Sequence, residues 1–303
     1  MCRAAVFLLA MTTLAQEAKF SSEVRVVTLL ATVRDRDGRV IGNLTKENFR
    51  LEEDGRKKPI QYFSRESDVP LTMVLLVDTS RSMQRVFETE RVASNQFLKQ
   101  VLREDRDVAA VVHFDVKVGV LQDFTASREQ LAEALTKLRI PARPATLLYD
   151  GIRDASEHMM RKRTGRKAFI LLSDGADFRS ETSLTNAIEY AQRADAMIYS
   201  ILFAHRPNRA LGKGGHGIVA KVMERGRKVM QRLAAETGGG FFEVTAQQPI
   251  DKIYAQIEDE LRHQYSIGYT PSAKVADAAY RKIKLTTDRK GLVVRTRDGY
   301  YPQ

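Results

Sequence analysis

Five consecutive residues, Asp78-Thr79-Ser80-Arg81-Ser82, carry one carboxylate and two hydroxyls in an Asp-x-Ser-x-Ser spacing. On a loop, such a run can turn its oxygens inward onto one point, and hard divalent cations prefer oxygen ligands. The run has no His or Cys, so it suits zinc or copper poorly. The same residues also fit a plainer purpose, satisfying backbone groups in a turn between a strand and a helix. Spacing alone leaves both readings open.

The elements around the cluster say where it sits. The apolar run Met73-Val74-Leu75-Leu76-Val77 precedes it and a helical pattern over 86–102 follows. Unbroken apolarity marks a strand buried on both faces, as parallel sheets require. The cluster then lies at the carboxyl end of that strand, the edge where open α/β sheets bind ligands. Two later stretches resemble this one in design. Phe169-Ile170-Leu171-Leu172-Ser173-Asp174-Gly175 is a second buried strand ending in a carboxylate, and Thr146 places a hydroxyl at the start of a helical pattern from Leu147. Thr146 could equally be the N-cap of that helix.

Here the resemblance becomes specific. Asp78-x-Ser80-x-Ser82, then Thr146, then Asp174 within Ser-Asp-Gly, resembles the metal-ion-dependent adhesion site (MIDAS) of von Willebrand factor type A (VWA) domains, with all five positions in the family's order. The resemblance implies Ser80, Ser82 and Thr146 as direct ligands of Mg²⁺ or Mn²⁺, and Asp78 and Asp174 as carboxylates acting through water. It also implies a protein ligand presenting Asp or Glu to complete the coordination. Arg81, inside the motif, adds a positive charge that could pair with Asp78 or with the incoming carboxylate.

Between 71 and 261, strands are expected at 72–77, 108–114, 168–173, 196–203 and 241–244. Helices are expected at 86–102, 128–137, 147–163, 184–194, 218–236 and 250–262. This alternation implies an α/β fold, a doubly wound, mostly parallel sheet with helices on both faces. Residues 118–121 would add the short antiparallel edge strand that VWA domains carry. The flanks read differently. Period-two patterns and Asp-Gly turns recur over 23–66 and again over 263–303, too few strands at either end to close a sandwich alone. We therefore expect a smaller β-sandwich built from both chain ends, with the VWA domain inserted between them. Val33-Arg34-Asp35-Arg36-Asp37-Gly38, Leu44-Thr45-Lys46-Glu47-Asn48-Phe49, Glu53-Asp54-Gly55, Tyr265-Ser266-Ile267-Gly268-Tyr269 and Arg297-Asp298-Gly299-Tyr300-Tyr301 resemble a secreted bacterial group of VWA-related proteins abundant in Acidobacteria.

Residues 1–15 read as a short secretory signal peptide, with one Arg, the apolar stretch 4–11 and small residues up to Ala15. It is too short to span a bilayer as an anchor, so no membrane span is expected after cleavage. The single cysteine, Cys2, falls inside it, which leaves no disulfide or thiol chemistry for the mature chain. A net charge of +11 invites nucleic acid as partner, but the Lys and Arg are scattered, so a basic solvated surface is the reading preferred.

Three other features could carry chemistry. The segment 206–217, RPNRALGKGGHG, lacks the Ser or Thr of a P-loop after Lys213, and His205 with His216 is a poor zinc set, so a surface loop is expected. Asp150 and Asp154 fit a solvated or ion-pairing helix face. His113 fits the edge of a core better than a general base.

The expected function is a secreted or periplasmic, metal-dependent interaction module of adhesion type, not an enzyme. A metal-dependent enzyme would need a nucleophile or base that the motif lacks. A VWA subunit of an ATPase or RNA-binding assembly would lack the leader.

Overall fold

The computed structural model describes residues 26–65, 69–203, 213–271 and 279–302, the segment 213–219 by its backbone only. The expected signal peptide and Cys2 lie outside these residues, as do the side chains of His205, Lys213 and His216. Strands β1 (Val27–Arg34), β2 (Phe49–Glu53), β3 (Arg56–Lys58) and β4 (Tyr62–Arg65) come first. The central part follows as β5 (Leu71–Asp78), α1 (Phe87–Val101), β6 (Val108–Phe114), β7 (Val118–Thr125), α2 (Arg128–Thr136) and α3 (Leu148–Asp154). It continues with β8 (Arg166–Ser173), α4 (Leu184–Arg193), β9 (Ala196–Phe203), α5 (Lys213–Thr237), β10 (Phe241–Val244) and α6 (Ile250–Arg262). The last strands are β11 (Tyr265–Tyr269), β12 (Arg281–Thr287), β13 (Val293–Arg295) and β14 (Gly299–Tyr300).

The central sheet has six strands in the order β10-β9-β8-β5-β6-β7, parallel except for β7 against β6. Every residue of β5 is buried, as its unbroken apolar sequence requires. Its side chains alternate between two cores. Met73, Leu75 and Val77 pack with Phe97 of α1, Leu131 of α2 and Ile257 of α6, while Val74 and Leu76 pack with Ile152 of α3, Ile188 of α4 and Met230 of α5. Each fully buried Leu or Val contributes about 2 kcal/mol, so neither face could be left open. Because β5 leads on to β6 on one side while its other neighbour β8 leads on to β9, the loops leaving β5 and β8 run apart, and the carboxyl end of β5 lies at the topological switch point of the sheet.

The chain ends supply two four-stranded antiparallel sheets, β13-β1-β11-β4 and β14-β12-β2-β3. Each combines strands from before and after the central part, with Leu29 opposite Ile267 and Leu51 opposite Leu285. Leu29, Leu51, Ile267, Leu285 and Tyr265 share one core, so the two sheets form a sandwich.

Three local expectations change. The Asp54-Gly55 turn leads into an additional strand, β3, which pairs back onto β2 before β4 begins. The helix expected over 147–163 is α-helical only to Asp154 and then makes a π-helical turn, Ala155–Met160, with Arg161 N–H donating to Ser156 C=O at 2.9 Å. Ala155 and Met160, five residues apart, both reach the same core, which the wider turn permits and an α-helix would not. Finally, α5 begins at Lys213, so part of the segment read as a loop is helical despite its glycines.

Candidate metal centre

Asp78 is the last residue of β5 and is wholly buried. Its Oδ1 accepts the Ser80 N–H at 2.9 Å, and its Oδ2 accepts the Ser173 hydroxyl at 2.6 Å. Ser173 ends the neighbouring parallel strand, whose register sets Leu172 beside Val77, so the two polar strand ends meet by sheet geometry. Ser173 Oγ in turn accepts the Gly175 N–H at 2.9 Å. Ser80 is buried, Ser82 exposed on the 3-10 turn Arg81–Arg85, and their hydroxyl oxygens lie 3.0 Å apart.

Asp174 follows on the same turn, its Oδ1 accepting the Ala176 N–H at 3.0 Å. Burial and then the charge of Asp174 push the Asp78 carboxyl up to about 7, although hydrogen bonds from Ser173 and Ser80 work to lower it. Among the described residues, neither Asp78 nor Asp174 has a Lys, Arg or His at ion-pair distance. The turn is held closely from behind. Gly175 has φ +76°, and a Cβ there would collide with the backbone carbonyl of Gly226 on α5.

Thr146 sits on the loop before α3, where its backbone exchanges two hydrogen bonds with Phe178, 3.1 and 2.9 Å, on the loop that carries Asp174. It is not the N-cap. The free N–H groups of Tyr149 and Asp150 are met instead by Asp177 Oδ1 and Ser180 Oγ from that loop, at 3.2–3.3 Å. The Thr146 hydroxyl makes no hydrogen bond to any described residue. The structure thus joins Asp78, Ser80, Ser82 and Asp174 at one strand edge and ties the Thr146 loop directly to them.

The donor set fits a hard divalent cation. It is made of oxygens alone, and its two carboxylates have no cationic side chain at ion-pair distance among the described residues. Among the described residues, no group of three or more His, Cys, Asp or Glu is placed to hold a metal.

Further residues position this edge, and of these Asp115 and Glu90 were not singled out from sequence. Thr79 donates its hydroxyl to Asp115 Oδ2 at 2.6 Å, and His113 Nδ1 lies 3.1 Å from the same oxygen. Burial would raise Asp115, but these hydrogen bonds and the Lys117 N–H hold it below the usual carboxylate range, so it accepts and His113 Nδ1–H donates. Glu90 of α1 is 1% exposed, and neither carboxyl oxygen has a hydrogen-bond partner. Burial, then the charge of Asp78, pushes its carboxyl well above the ordinary range. Asp150 is buried and ion-paired rather than solvated, with Arg153 bridging it at 3.1 Å to Asp154 at 2.9 Å. The visible signal for Ser173 was its place just before Asp174-Gly175. Nothing local in the sequence marks Glu90 or Asp115.

Residues 73–176, which hold Asp78, Ser80, Ser82, Thr146 and Asp174, match the family model of the von Willebrand factor type A domain. Proximal thread matrix protein 1 of the mussel byssus superposes with a TM-score of 0.52 at 14% identity, over 69% of this chain and 51% of that one. The central part has the VWA fold. A further structure of the mussel protein, with a zinc-occupied MIDAS motif, gives a TM-score of 0.51 at 14% identity over 69% and 50% of the two chains. The chain thus spans about half the length of the mussel protein. An aerotolerance-related membrane protein from Bacteroides fragilis aligns at 16% identity over 63% of this chain and 98% of that one, with a TM-score of 0.49. No curated protein matches the sequence.

Proposed function

We propose that the carboxyl edge of the VWA sheet is a complete MIDAS through which this protein grips an acidic residue of a protein partner. Ser80, Ser82 and Thr146 would hold Mg²⁺ or Mn²⁺ directly, with Asp78 and Asp174 acting through water. When bound, the cation supplies a positively charged, Lewis-acidic point for a partner's Asp or Glu carboxylate. The observation that carries this reading is the Asp78–Asp174 pair, two carboxylates brought together at a buried strand end with no cationic side chain among the described residues to balance them. An uncompensated buried charge costs several kcal/mol, so a site built this way favours a counter-ion. The chain's own residues keep the donors ready. Ser173 and the Ser80 N–H fix both Asp78 oxygens, while Asp177 and Ser180 take over the start of α3 and leave the Thr146 hydroxyl without a partner. Zinc in the mussel protein's motif supports a divalent cation here.

We read the site as binding rather than catalytic. The Thr79 hydroxyl and the His113 Nδ1–H are both committed to Asp115, which leaves them to brace the loops. On its flanking motifs we place the whole chain in the secreted VWA-related group, acting outside the cytoplasm. No helix among the described residues is long and apolar enough to cross a membrane.

Calorimetric titration with Mg²⁺ and with Mn²⁺, each with and without acetate, tests the proposal. Metal affinity that rises with acetate and vanishes in Ser80→Ala/Ser82→Ala is the expected result. Unchanged affinity in the double variant would discard the site.

A further inference from the structure

We infer that the partner contact is an acidic segment rather than a lone carboxylate, received by a rim of three arginines, Arg81, Arg143 and Arg179, and by exposed Phe178. The inference rests on the metal-site reading and adds the chemistry around it. Arg81 lies inside the Asp-x-Ser-x-Ser turn, and its Nη1 comes within 3.5 Å of the Ala142 carbonyl. Its guanidinium therefore lies toward the loop that carries Arg143 and then Thr146. Phe178 is bonded through its backbone to Thr146 and leaves 52% of its surface exposed. Arg179 holds its guanidinium 5.2 Å from the centre of the Phe178 ring. It does so with φ +82°, a left-handed conformation that is strained for a non-glycine residue.

All three arginines are exposed, and among the described residues none has a carboxylate partner. Arg91, Arg103, Arg153, Arg227 and Arg262, by contrast, all pair with acids. Three neighbouring acids are already engaged. Asp115 is engaged by Thr79 and His113, Asp150 by Arg153, and Asp177 by Ser180 and the Tyr149 N–H. Three planar cationic forks around one carboxylate-accepting point fit several carboxylates in sequence, since guanidinium binds carboxylate bidentately. The half-exposed phenyl ring offers an apolar contact that a peptide side chain can use and a purely polyanionic chain cannot.

The test uses the purified protein in saturating Mg²⁺, with fluorescent octaglutamate and octaglutamine as probes and unlabelled heparin as competitor. Octaglutamate is expected to bind and octaglutamine not, with affinity falling as salt rises. Arg143→Glu/Arg179→Glu should bind octaglutamate at least about tenfold more weakly, with Arg143→Gln/Arg179→Gln in between, while calorimetric Mg²⁺ affinity stays at the wild-type value. Equal octaglutamate binding by wild type and charge-reversed protein would overturn the rim, as would no octaglutamate binding or tighter binding of heparin. Failure of wild type to bind Mg²⁺ is a separate result that removes the metal-site reading itself.

Discussion

Two buried carboxylates, Asp78 and Glu260, are both wholly inaccessible to solvent and are treated in opposite ways. Glu260, near the end of α6, faces the sandwich, and the fold brings it two arginines. Arg34 from the end of β1 forms an ion pair with it, and Arg295 from β13 sets Nη1 3.0 and 3.1 Å from its two oxygens. Asp78, at the other edge, receives only hydroxyl and amide donors, and a second carboxylate as neighbour. Where the charge serves the fold, the chain neutralises it internally. At the carboxyl edge of the sheet, where no cationic side chain among the described residues reaches Asp78, the proposed metal ion would supply the balance from outside. Asp107 belongs to the first kind, with Arg103 gripping both its oxygens at 2.9 and 3.0 Å and the Leu71 N–H donating at 2.9 Å.

The largest effect should come from breaking the internally balanced charge. Glu260→Gln strands Arg34 and Arg295 at the junction between sandwich and VWA unit, and we expect a loss of about 3 kcal/mol in urea unfolding, unaffected by Mg²⁺. A loss under about 0.5 kcal/mol would show that the junction does not depend on this pair. Next is the external balance. Saturation with Mg²⁺ at about one hundred times its dissociation constant should stabilise wild type by about 2.7 kcal/mol and Ser80→Ala/Ser82→Ala not at all, read as thermal shifts with and without EDTA. If the shift persisted in the double variant, the cation would be binding elsewhere.

Asp107 sharpens the contrast through pH. Hydrogen bonds from Arg103 and Leu71 hold its carboxyl below the ordinary value, against burial that would raise it. A depressed folded-state value stabilises the protein above the unfolded-state value near 4 and is lost as pH falls through the folded one. Asp107→Asn should therefore cost about 1–2 kcal/mol at neutral pH, with the gap from wild type closing in acid. A gap that is constant with pH would mean packing, not charge, is lost. The smallest effect is expected at Glu90, whose carboxyl is pushed by burial well above the ordinary range. Glu90→Gln should change stability by less than about 0.5 kcal/mol, and a loss comparable to that of Glu260→Gln would show that Glu90 is ionised and paired.

Much of this edge was legible from sequence because its information is local. A run of apolar residues that stops at Asp78, and another that stops at Asp174, mark strands buried on both faces with polar ends, and the alternating elements fix the edge they share. The strands 108–114, 196–203 and 241–244 and the helix 250–262 lie where the patterns put them. Glu90 and Asp115 escaped notice because nothing in their immediate neighbourhood distinguishes them from surface acids. What sets Glu90 apart is the burial of one face of α1, and what engages Asp115 is a strand-to-strand meeting with Thr79. The segment before α5 misled for the opposite reason. Its glycines weaken helix propensity locally, but the helix continues through them from a well-packed length that includes Val229, Met230 and Leu233.

By itself, the sequence determined the residue types at each strand end, the alternation that makes the sheet parallel, and the oxygen-only character of the Asp78, Ser80, Ser82, Thr146 and Asp174 set. Those properties depend on composition and period, which are written along the chain. Only the tertiary structure decided which charges are balanced. Ser173 meets Asp78 through strand register, and Arg34 and Arg295 meet Glu260 from more than two hundred residues before it and 35 residues after it. Electrostatic balance is a matter of distances within a few ångströms, and residues far apart in sequence acquire those distances only when the chain is folded.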